Sequence, residues 1–209
     1  QPPWPDPRTV KPLIVIPAAG SSSRMRGRDK LLETIDGVPL LRRQAEAAVA
    51  SGCPVMVALP LSGPRHDALQ GLAMTIITVR DAAEGMGATL RTAALFAARH
   101  APDRPMMVLL PDVPAIGPFD IKTVVTRFEA AGGDTVTRAT DDSGRPGTPL
   151  IVPARLLERF TALTGDDGGR SALEGEEIEL VPLSGDRATC DLDTPEDWAA
   201  WREAQGHSD

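Results

Sequence analysis

The stretch "LIVIPAAGSSSRMRGRDKLL" (residues 13–32) joins an apolar run to a loop of small residues, hydroxyls and the cations Arg24, Arg26, Arg28 and Lys30. The apolar run is continuous rather than alternating, which is how a strand covered on both faces of a parallel sheet reads. Three more runs share the pattern: "PVMVAL" (54–59), "MTIITV" (74–79) and "MMVLL" (106–110). Between or after them lie helical stripes. Leu90, Ala93, Ala94 and Ala97 fall at i, i+3, i+4 and i+7, as do Ile121, Val124, Val125 and Phe128, and each set marks one buried helix face. Strands alternating with helices predict an α/β fold: a three-layer α/β/α sandwich on a mostly parallel, Rossmann-like sheet that binds ligands at the strands' carboxyl ends. The loop that begins at Ala18 follows such an end.

The whole chain narrows the function classes. Its 209 residues suit one domain with a substantial core. A formal charge of -7 argues against a nucleic-acid surface, which needs a broad basic face. No apolar run approaches the roughly 20 residues that span a bilayer, so no membrane association is expected. The opening "QPPWPDPRTVKP" (1–12) is too polar and Pro-rich for a signal peptide and reads as a loose leader. Cys53 and Cys190 show no metal-ligand spacing, which suits a reducing cytoplasm. After about residue 133 the pattern turns irregular, with "DDSGRPGTP" and "TGDDGGR" breaking shorter elements. The expected layout is a single domain over 13–205, its first half (to about 133) holding a nucleotide and its second (about 134–205) shaping another ligand site.

The loop fails two phosphate-binding designs. A Walker loop ends in Gly-Lys-Ser/Thr, whereas Lys30 is followed by Leu31. A dinucleotide fingerprint needs three spaced glycines, and neither Gly20 nor "GMGATL" (from Gly85) supplies the third. What remains is a backbone left accessible at Ala18, Ala19 and Gly20, then the hydroxyls of Ser21 and Ser22, then a cation cluster. That combination suits a triphosphate.

The pattern A-A-G-x-S-S-R-M followed by G-x-D-K-L-L resembles the signature of the nucleotidyltransferases that attach a nucleotide to the molybdopterin of molybdenum cofactor, within a wider group including sugar-nucleotide and methylerythritol cytidylyltransferases. Five later segments resemble that family in the same order: "EGMGATLR" (84–91), "PDVP" (111–114), "GRPGTP" (144–149), "GDDGGR" (165–170) and "DLDTPEDW" (191–198). The resemblance implies transfer of CMP from CTP to a molybdopterin-type phosphate with release of pyrophosphate, and a nucleotidyltransferase-type sheet. GTP, or a sugar phosphate or other small phosphorylated acceptor, is the alternative. A non-catalytic nucleotide-binding module is disfavoured, because Lys30, Asp112 and Asp193 are all present. A target molybdoenzyme or its chaperone would be a further partner.

Residue types fit that chemistry. The acceptor is already an oxyanion, so no general base is needed, and His66, His100 and His207 lie outside every motif. Cations must stabilise charge crowding at the α-phosphorus. Lys30 would act as a point charge and Arg24 as a planar fork. Mg²⁺ bridging the phosphates needs one or two carboxylates; Asp112, ending its strand, is the first, and Asp193 the second, with Asp191 its rival. "TPED" (194–197) also reads as a helix start. The resemblance places Asp81 beside the base and Gly85 beside the nucleotide. Gly147, Thr148 and Pro149 would form a close-approach turn for the acceptor, with Arg170 pairing with its phosphate and Asp166 orienting Arg170. Ala19 matches the cytidylyl "AAG" rather than the guanylyl "AGG". Two departures stand: Thr148 replaces the family's usual His, and the span from Met25 to Lys30 is one residue longer than in many cytidylyl members, closer to the guanylyl branch.

Overall fold

A computed structural model describes residues 11–206; the leader expected over 1–12 therefore lies almost wholly outside the described residues, as does His207. Nine strands and six α-helices are described: β1 (Leu13–Pro17), β2 (Thr34–Ile35), β3 (Val38–Pro39), α1 (Leu40–Ala50), β4 (Val55–Leu59), α2 (Pro64–Ala68), β5 (Thr75–Thr78), α3 (Met86–His100), β6 (Met106–Val108), α4 (Pro118–Ala130), β7 (Val136–Thr140), β8 (Pro146–Val152), α5 (Leu157–Phe160), β9 (Ile178–Pro182) and α6 (Pro195–Ala204).

Seven strands form one sheet in the order β5-β4-β1-β6-β8-β7-β9. All run parallel except β8, which pairs antiparallel with both β6 and β7. The predicted runs are β1, β4, β5 and β6. β1 and β4 are fully buried, as continuous apolar runs require. Their side chains alternate between two cores. Ile14, Ile16, Val55, Val57 and Met107 face α1 and α4, meeting Leu41, Ala45, Ile121, Val124 and Phe128. Leu13, Val15, Met56, Ala58, Met106 and Val108 face α3 and α5, meeting Leu90, Ala93, Ala94, Ala97 and Phe160. Both predicted helical stripes are thus buried, and helices cover each side of the sheet: the fold is a three-layer α/β/α sandwich on a mostly parallel sheet. No helix among the described residues is long and apolar enough to cross a membrane.

The first strand lies at the sheet centre. The chain moves from β1 outward to β4 and β5, then returns past β1 to β6. The order therefore reverses between β1 and β6, and ligands of open α/β sheets bind in the crevice at such a switch point. β2 and β3 pair through a turn at Asp36 and Gly37, with φ of 52° and 76°; positive φ at both positions is why Asp-Gly closes this hairpin.

A third apolar cluster lies off the sheet. Met25, Ile35, Leu40, Leu192 and Trp198 are all buried together. It fastens the basic loop beneath α6. That helix opens as its sequence predicts: Thr194 accepts from Asp197 N–H at 3.1 Å, and the Asp197 carboxylate accepts from Thr194 N–H at 2.8 Å.

Candidate active site

The switch point holds a cleft of about 660 Å³. It is lined by Ala18, Ala19, Gly20 and Ser21, by Lys30 and Asp112, and by Gly85, Met86 and Thr89 at the start of α3. Asp166 also lines it.

The cleft's charge centre joins three distant segments. Lys30 Nζ donates to Asp112 Oδ2 at 2.6 Å and to Asp193 Oδ1. Arg24 reaches the other Asp193 oxygen at 2.8 Å. The backbone reinforces the arrangement, since Leu192 N–H donates to the Asp112 carbonyl at 2.9 Å. Burial works against the Lys30 charge, yet the two carboxylates outweigh it and raise its pKa. Burial likewise opposes ionisation of Asp193, but Lys30 first and Arg24 next hold its carboxyl below the usual range. Asp191 moves the other way: burial, then the nearby charges of Asp193 and Asp112, push its carboxyl up.

A divalent cation fits these residues. Asp112 Oδ1 is buried without a hydrogen-bond partner, and a buried carboxylate oxygen left unpaired is costly. No three His, Cys, Asp or Glu side chains among the described residues form a cage by themselves. Asp112 lines the cleft and Asp193 meets it through the shared Lys30; one or two such carboxylates are the donor set Mg²⁺ takes when substrate oxygens complete its shell.

The other sequence-predicted residues divide. Ser22 turns away from ligand space, donating from Oγ to Asp29 at 3.0 Å and accepting from Lys30 N–H at 3.0 Å. Asp81 is not part of the cleft lining; it pairs with Arg91, which also reaches Glu84 at 3.0 Å. Gly85 has φ of 110°, and a Cβ there would lie 2.8 Å from the Gly165 carbonyl oxygen and closer still to the Asp166 carboxylate. Glycine is required because the 165–166 loop seats directly on the start of α3. Gly87 N–H donates to Gly165 O at 2.8 Å in the same contact.

Asp166 also borders a second groove of about 890 Å³, shared with Arg138 and Arg170. Gly147 faces neither cavity. A Cβ there would sit 2.6 Å from the Ala188 carbonyl carbon, so the close approach is to protein backbone. Thr148 is buried, accepting from Leu110 N–H at 3.0 Å and donating to Val108 O at 3.3 Å. It closes the end of β6 onto β8, with a cis bond to Pro149. Sequence reasoning assigns no role to three residues near these cavities. Asp29 lies inside the "GRDKLL" segment, where its neighbour Lys30 draws the attention. Arg65 sits in the unpatterned "SGPRHDA", and Arg138 in the middle of β7, whose polar "VTRAT" reads as irregular. Arg138 donates to Gly147 O at 3.0 Å, and burial alone lowers its pKa.

Comparison with known proteins gives the family. Residues 14–181 match the model of the MobA-like NTP transferase domain. No curated protein matches the chain. Rv0371c from Mycobacterium tuberculosis H37Rv superposes with a TM-score of 0.77 at 22% identity, over 93% of this chain and 98% of that one; a structure of it in complex with manganese is also similar, at 0.73 and 20%, over 93% and 99%. A nucleotidyl transferase from Methanothermobacter thermautotroptrophicus matches at 0.73 and 23%, over 93% and 97%. A CMP:2-keto-3-deoxy-manno-octonic acid synthetase complexed with CTP matches at 0.71 and 17%, over 94% and 98%.

Proposed function

The chain belongs to the family of MobA-like NTP transferase domains, and on that premise we propose that it transfers CMP from CTP to the phosphate of a molybdopterin-type acceptor. It is a nucleotidyltransferase of the MobA-like type. An acceptor phosphate oxygen attacks the α-phosphorus, the bond from that phosphorus to the bridging oxygen breaks, and pyrophosphate leaves with the electron pair. The observation that carries this reading is Lys30 held between Asp112 and Asp193 at the mouth of a small-residue loop.

The residues take these parts. Backbone donors at Ala19, Gly20 and Ser21 meet the triphosphate, together with the start of α3 at Gly85, where a fifteen-residue helix points its positive end. Asp112 and Asp193 would hold Mg²⁺, which when bound would neutralise charge on the phosphate oxygens. Lys30 carries its charge to the reacting phosphate, and Arg24, two-thirds exposed on its side chain, closes over it. No proton needs to be moved, since the nucleophile is already ionised. The acceptor lies in the second groove with Arg138 and Arg170 near its phosphate and Asp166 at the boundary.

Thr148 supports a second reading. The family's usual His at this place is replaced by a buried residue whose hydroxyl is committed to Leu110 and Val108, so an acceptor that relied on that His would lose a contact. A sugar phosphate or other small phosphorylated acceptor fits this substitution. The test is to incubate the protein with Mg²⁺, each NTP in turn, and molybdopterin or a panel of sugar phosphates, following pyrophosphate and identifying products by mass. CTP should exceed GTP several-fold in kcat/KM with the true acceptor. Equal or reversed preference removes the base assignment, and no pyrophosphate with any pair removes the function.

A further inference from the structure

Arg65 is the most enclosed cation around the cleft, with 7% of its side chain exposed, yet it does not line the cleft. Its guanidinium is saturated by one loop. Nε and Nη2 donate to the two Asp29 oxygens at 2.7 and 2.9 Å, a forked pair. Nη1 donates to the carbonyls of Ala18 at 2.6 Å and Gly20 at 2.8 Å. Asp29 in turn accepts from the Ser22 hydroxyl and from Leu31 N–H, both at 3.0 Å. One side chain therefore grips both ends of the loop that runs from the end of β1 to Lys30.

The carbonyl contacts fix peptide orientation. In a trans peptide the C=O of one residue and the N–H of the next point oppositely. With the Ala18 and Gly20 carbonyls held toward Arg65, the N–H groups of Ala19 and Ser21 point away from it. Ala19, Gly20 and Ser21 line the cleft, whereas Arg65 does not. Neither N–H donates to another of the described residues. Successive backbone donors turned to one side form an anion-binding concavity.

We propose that Arg65, clamped on Asp29, is the positioning residue that builds the triphosphate cradle: it turns the Ala19 and Ser21 donors outward and sets the start of Lys30. It acts through the loop and touches no substrate. This rests on the nucleotidyltransferase reading of the same cleft. The chemistry it serves is a polyphosphate chain rather than a base.

The test compares Arg65→Met, Arg65→Lys and Asp29→Asn with the parent, measuring by calorimetry the binding of inorganic tripolyphosphate and by ligand-detected NMR the binding of cytidine and guanosine. Arg65→Met should weaken tripolyphosphate at least tenfold and leave nucleoside binding within twofold. Arg65→Lys should recover part of the loss, because an ammonium can still reach the two carbonyls but cannot fork onto Asp29. Asp29→Asn, which keeps the side-chain shape, should weaken tripolyphosphate several-fold and covers the case in which Arg65→Met does not fold. Equal tripolyphosphate affinity in Arg65→Met and the parent overturns the inference alone. So does a parallel loss of nucleoside and tripolyphosphate binding that tracks the melting temperature. A parent that binds no tripolyphosphate overturns the functional reading and the inference with it.

Discussion

Replacing Lys30 by Met keeps the length of the side chain and removes one charge from the cleft. Lys30 is 17% exposed on its side chain and sits between carboxylates that are 15% and 14% exposed, so its field is screened far less than that of a surface lysine. Two unit charges 4 Å apart interact by about 4 kcal/mol at the effective dielectric of such a site and by about 1 kcal/mol in water. If half to three-quarters of the larger figure appears only as charge gathers on the transferring phosphate, the barrier rises by about 2–3 kcal/mol, or roughly 10²-fold in rate. Arg26 and Arg28 define the contrast. Their side chains are 74% and 53% exposed and pair outward with Glu196 and Glu33, so neutralising either should raise KM no more than about threefold, an effect that fades with added salt. Arg24, paired with Asp193 but 66% exposed, should fall between. The assay is continuous pyrophosphate release for the four single variants at low and moderate ionic strength, with melting temperatures as controls. Lys30→Met within threefold of the parent refutes the argument. Four equal losses refute it differently, by making the loop a diffuse electrostatic funnel.

Three further outcomes are expected. Asp112→Asn removes the charge of a proposed metal ligand while keeping the shape, so Mn²⁺ affinity read by EPR should fall at least about tenfold and turnover about 10²-fold or more; an active variant with parental Mn²⁺ affinity contradicts the metal assignment. Gly147→Ala drives a Cβ against the Ala188 backbone and should cost about 1–3 kcal/mol of stability, as overpacking does, seen as a lower urea midpoint with unchanged slope. Burial pushes the Asp29 carboxyl up, but Arg65 first, then Leu31 N–H and Ser22, hold it below its ordinary value. A depressed native pKa means that the stabilisation is complete above the unfolded pKa of about 3.9 and is lost as pH falls through the native value. The melting-temperature gap between the parent and Arg65→Met should therefore be level from pH 8 to 5 and narrow below about pH 4.

What could be read beforehand follows from where each signal is stored. β1 and β4 announce themselves because burial on both faces demands an unbroken apolar run, and α3 and α4 because one buried stripe demands a 3.6-residue period. β7 and β9 are different. β7 carries Arg138 mid-strand, and β9 leaves Ile178 and Leu180 exposed at the sheet edge, so neither shows a clean period. In the site, Lys30 and Asp112 draw notice because each sits in a segment, "GRDKLL" and "PDVP", that resembles a family signature. Thr148 and Asp81 are not, since a residue letter says nothing of which way a side chain turns; one is used by Leu110 N–H and the other by Arg91. Arg65 is hidden by distance. Its loop contacts lie 36 to 47 residues away in the chain, and no local pattern reports them.

The burial of Met25 under Leu192 and Trp198 has a consequence for the order in which the molecule assembles. Every strand of the central sheet is complete by Pro182, but the contact between Lys30 and Asp193 spans 163 residues and forms only when the segment leading into α6 returns to the loop. Contacts of such separation carry the largest loop-closure entropy and form late. In synthesis from the amino end, the sheet can gather its core while the cleft still lacks one carboxylate and the apolar lid over Met25. Reactivity toward nucleotides thus arrives after the bulk of folding, and a chain halted between residues 183 and 191 would carry all its strands and no finished site.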